Sequence, residues 1–445
     1  MSDRVFMSIA ATEADNTSAL QAAIDRISAD GGGTVALQAG VHHVGGVRLK
    51  SGVELHLEEG AVLQPVPDYE AYRDNLVDVI AEKSNRAMLV ASGVEHIAIT
   101  GPGRIDAGGD HFITGDDQSV GTFIPAEFRP RVLVVEHCRN VRLHGLEVLN
   151  SPMWTLHFVN CEDVSLRQVR VTNNRRLPNT DGVVLDACRR TLIEDCQIST
   201  ADDGICLKTS AGPQGSAIGC CEDIVVRGCT VSSVSCALKI GTESFGDFTN
   251  VVFEDCRVQQ SNRGLGIFSR DGGKVSNVRF SRIHLECFET PDGFWGSGEA
   301  LTVTVVDRVP ERPAGAVENL IVEDITGTME GAITLVSVAP AGIHDVQLSR
   351  IHLAQTVGQL GTGLRYDLRP TNADLAPAVE ADGRANAWTR GADGRIIGLQ
   401  DYPGGMPGAF VQGVTGLRVE DVVFDRPQPL PQGWNSQTLV QDVAA

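Results

Sequence analysis

Apolar residues alternate with polar ones in short runs along most of the chain, and the runs recur as one phrase. In most copies a polar residue is followed by Asn or Asp and then by alternating apolar positions: CRNVRLHGLEV from Cys138, CEDVSLRQVRV from Cys161, CRRTLIEDCQI from Cys188, CEDIVVRGCTV from Cys221 and FTNVVFEDCRV from Phe248. Later copies begin at Val275, Val317, Ile343 and Val414. A period of two puts successive side chains on opposite faces of a strand, and the Gly, Asn and Asp between runs mark turns. The residue after the third position of each phrase, Val141, Val164, Thr191, Ile224, Val251 and Val278, recurs at intervals of 23, 27, 33, 27 and 27 residues. Such a period belongs to stacked repeats, in which each coil buries its apolar face against the next. The runs lack the LxxLxLxxN phrase of leucine-rich repeats and the 3.6-residue period of helical ones. They are also short for a β-propeller blade, which needs about 40 residues and four strands. The pattern therefore predicts an all-β chain: a right-handed, single-stranded parallel β-helix running as one domain over residues 1–445.

The pattern changes near the N-terminus, where Leu20, Ala23, Ile24 and Ile27 are spaced for one face of a helix and Asp15, Asn16 and Thr17 offer caps. Residues 14–30 are predicted to form a helix covering the open end of the first coil. Two segments interrupt the repeat, 289–300 and 361–407, and are expected to be loop insertions beside the binding groove. The first carries Phe294, Trp295 and Glu299, the second Tyr366, Trp388 and Tyr402. Trp295 is a candidate for stacking on a sugar face, with packing beneath a long loop as the alternative.

Composition narrows the function classes. With 42% hydrophobic residues and 48 Gly the chain is a folded, turn-rich protein. A formal net charge of -20 argues against a nucleic-acid partner and disfavours long polyanionic sugars. No apolar run approaches the roughly 20 residues that span a bilayer, so no membrane partner is expected. Met1 to Asn16 lacks a basic start followed by an apolar core, so the sequence as given reads as cytoplasmic, or as periplasmic or secreted if a signal peptide was removed. A monomer is expected. The eleven Cys all fall between Cys138 and Cys287 without a CxxC pair, and several recur at equivalent places in the phrase, which points to a packing ladder instead of disulfides or thiolate ligands. His111 and His157 have no companions at zinc-ligand spacing. Neither a metal nor a cofactor is expected.

Two phrases carry candidate chemistry: Asn179-Thr180-Asp181-Gly182 and Asp202-Asp203-Gly204. Their aspartates lie 21 and 22 residues apart, about one coil, so stacked turns would bring them to one face. Glycosidic hydrolysis needs an acid for the leaving oxygen and a carboxylate for water or carbon, and crowded carboxylates favour retention of one proton. From spacing alone, turn structure and calcium binding stay open beside catalysis.

SPMWTLHFVN at Ser151 to Asn160, NTDGVVLDAC at Asn179 to Cys188 and ADDGICLK at Ala201 to Lys208, in this order, resemble glycoside hydrolase family 28, the polygalacturonase family. The similarity extends from the first coils to the late PLPQGW segment, and the chain resembles an atypical member. The resemblance implies a pectin-lyase-like β-helix and an inverting hydrolase. Asp202 would be the general acid, and Asp181 and Asp203 would hold and deprotonate the attacking water, acid and base standing about 6.5 to 9.5 Å apart. Asn179 would orient the carboxylates or contact sugar, and Lys208 is the basic residue that follows the DD turn in the family phrase.

The departures bear on substrate. Cys236, in Ser235-Cys236-Ala237, stands where the family has the His of Gly-His-Gly, and Gly266 and Phe268 stand at the Arg and Lys of its Arg-Ile-Lys. The usual clamp on a galacturonate carboxylate is therefore expected to be missing. Lys239, Arg263 and Arg270 could rebuild a positive pocket or could serve in ion pairs between coils, and Phe268 suits an apolar wall or a deoxy-sugar face. Asp271, in the RDGG turn, is a sugar-hydroxyl acceptor or a turn residue. Trp295 and Glu299 are expected remote contacts, and His111, in GRIDAGGDHF, is a distal subsite or an exposed turn. The expected function is exo-acting, inverting removal of terminal sugars from a pectin-related or other plant or microbial oligosaccharide. The alternatives are a hydrolase of neutral or deoxy sugars, a polysaccharide lyase on the same fold, and a non-catalytic carbohydrate-binding β-helix.

Overall fold

The recurring phrase folds as short parallel strands whose copies lie in register. The computed structural model describes residues 5–118, 121–212, 214–292, 294–369, 390 and 392–442. It divides into two compact units, Met1–Asp117 with Thr122–Ala201, and Gln118–Gly121 with Asp202–Ala445. In the first unit Ile97, Val141, Val164 and Thr191 pair as one column across successive strands. In the second, Ile224, Val251, Val278, Leu320 and Val346 form another. Six of these nine are the repeat's marker residues, so the period read along the sequence is the length of one coil. Alternation sends the marker column inward, and in the second unit it brings Phe253 over Phe280 with ring centroids 4.9 Å apart.

The Asn or Asp of most phrases is explained by backbone conformation. Asn140, Asp163, Asp223, Asn250, Asn277, Asn319 and Asp345 all adopt φ between 53° and 57°, the left-handed region that these short polar side chains tolerate better than others. In the second unit their side chains stack as a ladder. The Asn250 amide donates to Asp223 at 3.0 Å, Asn277 to Asn250 at 3.2 Å and Asn319 to Asn277 at 2.7 Å.

A second parallel sheet in each unit carries the candidate residues. In the first unit it contains Leu89, Leu133, Leu156 and Val183 as an inward column. In the second, Ile205, Leu238, Leu265 and Leu301 point inward, and the alternate column runs Cys206, Lys239, Gly266, Thr302, Thr334 and Phe410.

The predicted N-terminal helix spans Thr17–Ala29 and buries Leu20, Ala23, Ile24 and Ile27. Gln21 exchanges two hydrogen bonds with the backbone of Arg48, and the Ser28 hydroxyl donates to the carbonyl of Ser51, which fasten the helix over the early strands. Among the described residues no helix is long and apolar enough to cross a membrane. All eleven Cys are free thiols, and all but Cys220 are buried.

The two interruptions of the repeat meet in the second unit. Arg365–Asp367 pairs antiparallel with Leu399–Asp401, and Tyr366, Tyr402 and Phe410 pack ring to ring. The Tyr402 hydroxyl lies 3.0 Å from that of Thr334, so the described part of 361–407 covers the late end of the outward column. Residues 370–389, with Trp388, lie outside the described residues. Arg365 pairs with Asp292 at 2.7 Å, which ties this segment to 289–300.

Candidate active site

Asp181 follows a turn that is fastened at several points. Asn179 has φ 60°, again the left-handed region, and the Arg129 guanidinium donates to the carbonyls of Pro152 and Pro178 and, at 2.9 Å, to the Asn179 side-chain oxygen. The Thr180 hydroxyl donates to Leu177, and Asn173 donates to the Thr180 carbonyl. The backbone amide of Thr155 then donates to the Asp181 carbonyl, which fixes the turn to the preceding coil. Asp181 itself is buried.

Asp202 and Asp203 lie in the bend before the strand Ile205–Thr209. Gly204 explains why the phrase ends as it does. Its amide donates to the Cys236 carbonyl at 2.9 Å, and a Cβ at this position would meet the Ala237 oxygen at 2.6 Å and Val231 at 2.3 Å. We predict that Gly204→Ala displaces the turn, with a loss of about 1–3 kcal/mol of stability on urea unfolding and a parallel fall in turnover. Wild-type values for both would show that the close approach has no structural role.

The two aspartates occupy different surroundings. Asp203 is 1% exposed, accepts from the Ser235 hydroxyl at 2.9 Å and pairs with Lys239 at 2.5 Å. Asp202 is half-buried, its carboxylate accepts from the Asp203 amide at 3.0 Å and its carbonyl is held by Ser233. One carboxylate thus has donors on both oxygens, and its neighbour is more open to solvent.

The remaining candidates fall into three groups. Lys208 pairs with Glu243 at 2.6 Å; burial alone would raise the Glu243 carboxyl, but Lys208 and Arg308 hold it well below the usual carboxylate range. Asp271 accepts from the Ser244 amide and pairs with Arg308 at 3.2 Å, while its burial pushes the carboxyl up. Arg270 is fully buried and donates to the carbonyls of Ser269 and Thr304 and to the Thr304 hydroxyl. Burial pushes its guanidinium down to about 9, and the surrounding carbonyls make it a fastener within the coil.

The second group is a buried charge network. Arg263 lies 2.9 Å from Asp367 and 3.6 Å from Glu299, and Arg369 also pairs with Asp367 at 2.8 Å. Phe268 is enclosed, with the Arg263 guanidinium 5.0 Å and the Lys239 ammonium 5.5 Å from its ring centre. Cys236 is buried beside this network; desolvation and the nearby Asp203 push its thiol up to about 12. Trp295 is half-buried, with the Arg369 guanidinium 5.4 Å from its ring centre. His111 is exposed on the short helical turn Gly109–Phe112 of the first unit.

Sequence reading did not single out Arg129, Ser235, Glu243, Arg308, Asp367 or Arg369. Asp367 and Arg369 lie in RYDLRP, inside an interruption without repeat register, and nothing local distinguishes them from surface charge. Ser235 had a usable signal, because it lies one residue before Cys236 in the phrase where the family histidine is replaced.

A family model, Glycosyl hydrolases family 28, matches residues 74–359. The chain belongs to this family. A probable polygalacturonase of Vitis vinifera is 27% identical over 307 residues, which cover 64% of this chain and 60% of that protein. A probable polygalacturonase of Arabidopsis thaliana is 29% identical over 195 residues, 43% of this chain and 40% of that one, so the match spans less than two thirds of either relative. Among solved structures, an exopolygalacturonase from Thermotoga maritima superposes with a TM-score of 0.66 at 23% identity, covering 78% of this family 28 chain and 87% of its own. That likeness establishes the fold as a right-handed parallel β-helix.

Proposed function

We propose that this family 28 chain is an inverting glycoside hydrolase that removes terminal sugars from pectin-related or other plant or microbial oligosaccharides. The observation that carries the reading is the unequal pair at the DD turn: Asp203 held by Lys239 and Ser235, and Asp202 half-buried beside it. Unequal environments are what separate an acid from a base among neighbouring carboxylates. Asp202 delivers its proton to the glycosidic oxygen as the bond to the anomeric carbon breaks. Asp203 and Asp181 orient a water and take its proton as its oxygen attacks from the opposite face, giving the product inverted configuration.

Exo action is supported by the way the interruptions 289–300 and 361–407 are tied together in the second unit. The Gly296 amide donates to Asp367 and Arg369 donates to the carbonyls of Asp292 and Phe294. A binding track crossed by such a tie would admit only a chain end.

A second reading, in which the terminal sugar is neutral or deoxy, is favoured by the fate of the cationic candidates. Lys208, Lys239 and Arg263 each face an internal carboxylate, and Arg270 is committed to carbonyls, while Gly266 and Phe268 bring no charge of their own. The test is a screen of oligosaccharides with and without uronic acids, following product mass and anomeric configuration. Release of monosaccharide with inverted configuration is the expected result, with preference for neutral or uronate termini deciding between the two readings. Retained configuration, or an unsaturated product absorbing in the ultraviolet, would overturn the mechanism.

A further inference from the structure

We propose that Arg308 and Glu243 form a subsite of the second unit that reads a hydroxyl of a neutral sugar. This inference rests on the hydrolase reading above and names the substrate class for that site.

Glu243 lies near the end of the strand Cys236–Ser244, whose Lys239 reaches Asp203, so it stands one coil after the DD turn. Arg308 follows the strand Leu301–Val305, two coils further on, and its amide donates to the Arg270 carbonyl at 3.2 Å. Its side chain turns back across the coil between. Nη2 donates to the Thr242 carbonyl at 3.1 Å, and Nη1 stands 3.9 Å from Oε1 of Glu243. Nε lies 3.2 Å from Oδ1 of Asp271, but the two are not aligned for a hydrogen bond, and among the described residues neither buried atom has a hydrogen-bond partner. Native structures rarely leave buried polar atoms so. Arg308 is thus held by charge with hydrogen-bonding capacity in reserve, and its side chain is 14% exposed beside a Glu243 side chain that is 31% exposed.

A donor and an acceptor 3.9 Å apart are too far to bond each other and close enough to share a third group. A hydroxyl serves both, because its oxygen accepts from Arg308 while its hydrogen goes to Glu243. A carboxylate only accepts, and at Arg308 it would lie against the acidic oxygen of Glu243. Burial would raise the Glu243 carboxyl, but Lys208 and Arg308 hold it well below the usual carboxylate range, so it meets a ligand as an anion. Asp271 is a second acidic group beside the same guanidinium. The carboxylate of a uronate would be the third. The pair therefore favours a neutral sugar over its acidic counterpart, and it does so partly through the repulsive element it places beside the donor.

The test is calorimetric binding of two matched oligosaccharides, one ending in a neutral hexose and the other in its uronate, to the whole wild-type chain and to Arg308→Gln and Glu243→Gln. Arg308→Gln should weaken the neutral ligand about tenfold or more, since it removes a charged donor. Glu243→Gln keeps the shape of the side chain and removes only its charge, which covers the case of an Arg308→Gln chain that does not fold. It should weaken the neutral ligand about threefold and narrow the preference over the uronate by at least about threefold. Wild-type affinities for both ligands in Glu243→Gln would overturn the proposal, as would a wild-type chain that binds the uronate more tightly or binds neither ligand. Steady-state kinetics on the same pair separate this claim from the one it rests on. Neutral-sugar binding that depends on the pair, without turnover of any oligosaccharide, would sink the hydrolase reading and keep the subsite. Turnover unchanged by both substitutions would sink the subsite and keep the hydrolase reading.

Discussion

Asp202→Asn is expected to lower kcat by about 10²- to 10⁴-fold while leaving the unfolding transition where it is in the wild type. The amide matches the carboxyl in shape and can keep the turn's hydrogen bond from the Asp203 amide, but it has no proton to give a leaving oxygen. Asp203→Asn makes the contrast. It removes the counterion of a buried lysine and should cost both turnover and stability, about 3–5 kcal/mol if Lys239 stays charged in place. The checks are steady-state kinetics and urea unfolding of both variants. Turnover of Asp202→Asn within a few-fold of the wild type would remove Asp202 from the acid role.

Asp367→Ala should be the most damaging substitution outside the DD turn, destabilising the second unit by about 3–5 kcal/mol. Asp367 accepts from the backbone amides of Gly296 and Arg369 and from the Arg369 side chain, and it lies 2.9 Å from Arg263. Deleting it leaves two buried guanidiniums facing Glu299 and backbone carbonyls, and unfastens the joined interruptions 289–300 and 361–407. The measurement is the urea midpoint together with its slope. A loss below about 1 kcal/mol at unchanged slope would show that the network relaxes without cost. Acid should reproduce part of the effect. Burial would raise the Asp367 carboxyl, but Arg369 and Arg263 hold it down at about 2. A depressed carboxyl stabilises the fold fully above its unfolded value near 4, and that contribution fades as pH falls toward 2.

The coil was legible because its physical cause is local. A residue that must take a left-handed φ at a corner favours Asn or Asp, as at Asn140, Asn250 and Asn277, and a half-buried strand selects alternation, as at Val164 and Leu166. Both causes act within one phrase, so they leave their mark in the sequence at the coil's own period. The N-terminal helix was legible for the same reason, from Leu20, Ala23, Ile24 and Ile27 on one face. The NTDG and DDG phrases also declared themselves, since Asn179 and Gly204 answer to backbone demands at their own positions.

What sequence left open is the partner of each charge. Alternation places Lys239 on the face opposite Leu238, but only the stacking of one coil on the next aims it at Asp203, 36 residues earlier. Arg263 was ambiguous between a sugar pocket and an ion pair, and its partner Asp367 lies in an insertion that follows no repeat. The chain alone thus determined the coil, its period and the turns that carry carboxylates, because those follow from φ and burial residue by residue. Tertiary structure decided which carboxylates are neutralised and which cations are engaged, because electrostatic energy depends on separation in space, and register and loop closure set that separation across tens of residues.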